Sequence, residues 1–148
     1  MKFIHNDGGR QAAGFQGTCG DCVCRAVAIA SQEPYQLVYD ALAGGNATQR
    51  KGKRDVKTGQ GVRTARSGIH TKRKWFEDYM HRLGFKWTAC MQIGSGCTVH
   101  LKDGELPMGR LVVCVSKHYV AVIDGVINDL SDCSRNGTRC VYGYWSKA

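Results

Sequence analysis

The hydrophobic period of this chain changes at Gly84, and that change limits the fold more than any other feature. Before it, apolar residues recur at helical spacing. Residues 22–31 (CVCRAVAIAS) are apolar nearly all round apart from Arg25, the pattern of a buried helix, and Asp21 is placed as its N-cap. Pro34 suits the start of a second helix carrying Tyr35, Val38, Ala41 and Leu42, which Gly44-Gly45 is expected to stop. A third helix is expected from Thr71, with Trp75, Phe76, Tyr79, Met80 and Leu83 on one face and Gly84 at its end. After Gly84, segments 85–93, 110–116, 117–123, 126–130 and 139–145 are rich in β-branched and aromatic residues. Asp124-Gly125 and Asn136-Gly137 are two-residue hairpin signals. Helices followed by antiparallel strands define an α+β fold, N-terminal helices packed on a C-terminal antiparallel sheet.

At 148 residues, 43% of them hydrophobic, the chain is expected to form a single domain over 1–148. Its first residues contain no apolar run like that of a signal peptide, and no stretch reaches the roughly 18 apolar residues of a membrane helix. The expected compartment is therefore the cytoplasm, where thiols stay reduced, and no membrane partner is expected. The formal net charge of +9 is local: ten of the 21 lysines and arginines lie between positions 49 and 74, against one acid, Asp55. Residues 46–70 lack periodicity and read as a basic, mobile loop whose positive field favours anionic partners.

The hairpin KHYVAVIDGVINDL, residues 117–130, places one histidine in defined company. With Asp124-Gly125 as the turn, Val122 faces Ile127 and Ala121 faces Asn128. His118, Val120 and Val122 then share a face with Ile127 and Asp129, while Asn128 points to the other side. His118 and Asp129 become diagonal cross-strand neighbours, so the carboxylate can fix the imidazole's tautomer and stabilise its charged form. A one-residue slip would exchange Asp129 for Asn128.

Three thiols, Cys19, Cys22 and Cys24, fall within GFQGTCGDCVC at residues 14–24. A free thiol has a pKa of about 8.5 and becomes nucleophilic when a helix N-terminus or a neighbouring imidazolium lowers it. Cys22 occupies the first turn of the buried helix, where the dipole favours an anion, although adjacent Asp21 opposes one. Cys22 is thus the candidate nucleophile, His118 its base and Asp129 the group that orients the base.

The run Gln16-Gly17-Thr18-Cys19-Gly20-Asp21-Cys22 resembles the active-site entry of papain-like cysteine peptidases, which read Gln-Gly-x-Cys-Gly-x-Cys at the start of the central helix. The resemblance implies a papain-like fold and an oxyanion hole formed by the Gln16 side chain and the Cys22 backbone amide. His118 and Asp129 match the family's later histidine, at a strand start, and the Asn or Asp after it. Val23 replaces the usual aromatic, no Asn-Ser-Trp is present, and the His-to-acid spacing is short. That compactness resembles bacterial or phage members. The implied activity is hydrolysis of a peptide or amide, with acidic substrates favoured by the basic loop, or acyl transfer if an amine intercepts the acyl-enzyme.

Other readings fit less well. The remaining cysteines, Cys90, Cys97, Cys114, Cys133 and Cys140, lack zinc-knuckle spacing, so no metal and no organic cofactor is expected. Cys24 and Cys114 read as inert core thiols. Cys133 and Cys140 face each other across Asn136-Gly137, which invites a disulfide, but at a hydrogen-bonded position, where the backbones are wider apart than a bridge prefers, and they are expected to stay reduced. His5, His70, His81 and His100 have no comparable neighbours. The 49–74 segment, as a nucleic-acid or partner contact, lacks aromatic stacking residues in its loop.

Overall fold

The computed structural model describes residues 1–15, 21–48, 71, 73–92 and 94–147. Gln16, Cys19 and His70 lie outside them, as does the expected basic loop from position 49 onward.

Helix α1, Cys22–Ser31, has the bounds its composition predicts. Every residue after Cys22 is buried, Arg25 included, and the helix lies chiefly across strand β4, His118–Ile123. Its C-terminal carbonyls would be left without partners, and a side chain from the sheet supplies them. Arg110 donates from Nε to Ala30 O at 2.7 Å and from Nη2 to Ile29 O at 2.6 Å. At the other end Asp21 occupies the N-cap position, but its carboxylate caps nothing. Arg10, Arg25 and Tyr35 draw it inward instead, the Tyr35 hydroxyl donating at 2.5 Å. A buried guanidinium needs a compensating charge, and that need outweighs the capping bond.

Helix α2, Tyr35–Thr48, does not stop at Gly44-Gly45. Gly45 serves a close approach: a Cβ there would collide with the Trp75 ring on helix α3, Lys74–Arg82. Helix α3 starts later than Thr71 and buries Phe76 and Met80 completely. It closes with the Gly84 and Phe85 amides bonded to His81 O and Met80 O, both at 3.0 Å.

Six strands form one sheet in the order β1-β5-β4-β3-β6-β2. They are β1 Lys2–His5, β2 Lys86–Ala89, β3 Arg110–Val115, β4, β5 Val126–Asp129 and β6 Val141–Lys147. The sheet is mixed, which corrects the antiparallel expectation. The N-terminal strand β1, four residues without alternation and so too short to read from its pattern, pairs parallel with β5, Lys2 opposite Val126 and His5 opposite Asp129. The Asp124-Gly125 turn forms as expected, both residues at positive φ, and sets Ile123 against Val126 and Ala121 against Asn128.

Asn136-Gly137 makes no hairpin. Arg135, Asn136 and Gly137 all take positive φ and curl the chain into a loop closed on Ser134 O. Cys140 then bridges to His100 and forms a disulfide with Cys97, contrary to the expected reduced thiol, while Cys133 stays free.

Alternation along the strands divides the core in two. Val112, Ala121 and Trp145 pack beneath the helices. Leu111, Val113, Val115, Val120, Val122, Ile127 and Val141 face the other way, covered by Leu101 with Val99 and Leu106.

Candidate active site

Cys22 begins α1 and His118 begins β4, and these two starts meet at one end of the sheet. The His118 ring and the Tyr119 backbone amide both lie near enough to the Cys22 thiol to lower its pKa. His118 Nε2 donates to Asp129 Oδ2 at 2.6 Å, which leaves Nδ1 for the thiol. The Asp129 side chain is 6% exposed and is held from two further directions. The Leu130 amide donates to its Oδ1 at 2.7 Å, and Arg25 Nη2 lies 3.6 Å from the same oxygen. Arg25 follows Cys22 by three residues, so one helix face carries both the thiol and the cation that steadies the acid.

The electrostatics follow from these contacts. Burial pushes the Cys22 thiol up, but the His118 bond, the Tyr119 amide and the charges of His118 and Arg25 together bring it below its ordinary value. The bond to Asp129 is the largest influence on His118; with Cys133 and Cys22 it overcomes burial and raises the imidazole to about 11. Burial raises Asp129, yet His118, the Leu130 amide and Arg25 outweigh it, and the carboxyl lies below the usual range. The imidazolium and the carboxylate are thus both favoured, and the imidazolium in turn favours ionisation of the Cys22 thiol. Asp21, which threatened to oppose the thiolate, is compensated by Arg25 and Arg10.

Cys24 is fully buried, its thiol 4.0 Å from Tyr35 O. His81 packs edge-on against Trp145, with ring centroids 5.4 Å apart. His100 has neighbours that its sequence context does not reveal: Nδ1 is 3.1 Å from Glu105 Oε1, and Nε2 is 3.5 Å from Cys97 Sγ. That sulfur is tied to Cys140 and offers no thiol.

Sequence reasoning missed two participants. Arg25 had a signal, since a lone cation in an apolar helix needs an acid and Asp21 lies one turn before it. Cys133 had none, because only the 130–139 loop returns it to His118. A cavity of about 440 Å³ opens beside His118, lined by Ser116, Lys117, Ser131, Cys133, Arg135 and Arg139 as well.

The architecture is thus α+β with a mixed sheet, and its candidate site is a thiol, an imidazole and a carboxylate drawn from one helix and two strands. Comparison with family models, with curated proteins and with solved structures finds no match. Among the described residues no helix is long and apolar enough to cross a membrane.

Proposed function

We propose that the protein is a cysteine hydrolase of the peptidase or amidase type on a compact papain-like fold. Cys22 is its nucleophile, His118 its acid and base, and Asp129 the group that orients the imidazole. One observation carries the reading: His118 Nε2 is committed to Asp129 at 2.6 Å, so the opposite face of the ring serves the Cys22 thiol at the mouth of α1.

In this reading the Cys22 thiolate attacks a carbonyl carbon, forming a C–S bond as the carbonyl π electrons move to oxygen. The Cys22 amide, among the first N–H groups of α1 and so without an intrahelical partner, donates to that oxyanion. Gln16 is the proposed second donor. The imidazolium passes its proton to the leaving amine. Neutral His118 then takes a proton from water, which attacks the thioester and releases the acid and the thiolate. Lys117, Arg135 and Arg139 in the neighbouring cavity favour an acidic group on the substrate.

Iodoacetamide labelling tests the nucleophile. Cys22 is expected to label with a midpoint below the ordinary thiol value. His118→Gln is expected to raise that midpoint and to slow labelling at pH 6.5, by about tenfold for each pH unit that the midpoint rises. An acyl burst with an activated ester is expected from the native chain and not from Cys22→Ala. Cys22 titrating like a free thiol, unmoved by His118→Gln, would sink the proposal.

A further inference from the structure

Cys133 lies against His118, yet hydrolysis has no use for a second thiol there. Its Sγ, a ring nitrogen of His118 and a carboxylate oxygen of Asp129 all fall within 4.8 Å of one another, the one such trio of potential metal ligands among the described residues. Cys133 carries no disulfide and is half-buried, and it lines the cavity beside His118. The three residues are far from knuckle spacing, on β4, on β5 and in the loop after it, so their sequence positions conceal the grouping.

A thiolate, an imidazole and a carboxylate are the donor types zinc takes in tetrahedral sites with three protein ligands and an open fourth position. We propose that His118, Asp129 and Cys133 form a binding site for a divalent cation of the zinc class, with the fourth position facing the cavity, and that the ion silences Cys22 by taking His118 and Asp129. The silencing rests on the hydrolase reading; the site itself does not.

The chemistry balances without a redox partner. On binding, the Cys133 thiol and the coordinating His118 nitrogen each release a proton, and the His118–Asp129 hydrogen bond is exchanged for two bonds to the ion. The cavity provides an entry path. Lys117, Arg135 and Arg139 line it, and Arg25 stands 3.6 Å from Asp129, so these cations oppose a dication. Two anionic ligands offset that repulsion, and the thiolate discriminates against magnesium and calcium, which prefer oxygen.

The test uses the full chain with its Cys97–Cys140 bond intact, freed of metal and then of chelator. Zinc is titrated by calorimetry, and cobalt by absorption, whose near-ultraviolet thiolate-to-cobalt band reports a sulfur ligand. The native chain and Cys22→Ser are expected to bind one equivalent and show the band. Cys133→Ser is expected to lose the band and at least tenfold in zinc affinity, with His118→Gln weakened likewise. Circular dichroism confirms that each variant is folded.

Zinc is further expected to slow iodoacetamide labelling of Cys22 at least tenfold in the native chain and not in Cys133→Ser. A band that survives Cys133→Ser, or zinc affinity equal in the native chain and both variants, overturns the site. Zinc that binds as expected while labelling of Cys22 continues unslowed overturns the silencing. The hydrolase proposal fails separately, if metal-free Cys22 proves to be an ordinary thiol.

Discussion

Asp129 accepts from His118 and from the Leu130 amide, with the Arg25 guanidinium 3.6 Å away, so its negative charge is fixed and His118 is held cationic. A histidine whose folded pKa lies above its unfolded value stabilises the fold in its protonated form. His118 is raised from 6.5 to about 11, so its contribution is fully present below pH 6.5 and is lost as pH rises towards 11. Asp129 is shifted down from 3.8, so its contribution is present above that value and fades as pH falls through the lower folded pKa. Urea unfolding in chelator should therefore show the native chain exceeding His118→Gln by a margin that is widest near pH 5 to 6 and narrows through pH 10. A margin independent of pH would mean that the imidazole is neutral in the folded protein. The juxtaposition of His118 and Asp129 was legible in the sequence, because a two-residue turn leaves little freedom in register and alternation does the rest. The nearness of Cys133 was not, because a loop with three successive positive-φ residues follows no periodic rule.

Helix α1 illustrates how much an element's own residues decide. Its apolar run specifies length and burial, while its two ends are completed from elsewhere, by Arg110 on β3 and by Arg10 and Tyr35 around Asp21. Helix α2 shows the reverse. A Gly-Gly pair reads as a stop because glycine costs about 1 kcal/mol within a helix, but packing against Trp75 overrides that cost. Gly45→Ala is consequently expected to destabilise the protein. The helix-propensity gain is about 1 kcal/mol, whereas forcing a methyl group into the indole costs about 1–3 kcal/mol. Chemical denaturation should show a net loss of about 1 kcal/mol; a gain would mean that the Trp75 ring swings aside freely. Strand β1 escaped notice for a related reason, since four exposed residues carry no alternation and only the open edge of β5 gives them a partner.

Across the whole molecule, the Cys97–Cys140 disulfide joins residues 43 apart and ties the segment covering the second core layer to the start of β6. Closing a loop of that length removes enough disorder from the unfolded chain to stabilise the fold by about 2–4 kcal/mol. Replacing both cysteines by serine should lower the unfolding free energy by about that amount without moving the labelling midpoint of Cys22. A loss below about 0.5 kcal/mol would mean that the covering segment is held by its apolar contacts alone. By itself, the sequence determined what local rules govern: the α+β order, the extent of α1, the 124–125 turn and the face shared by His118 and Asp129. Each depends on periodicity or on the conformational freedom of one or two residues. The tertiary structure alone decided the parallel seat of β1, the passage of α2 through its glycines, the partner of Cys140 and the return of Cys133 to His118. Those outcomes depend on which surfaces and thiols come together once the core has formed, and contacts between residues far apart in the chain leave no local signature.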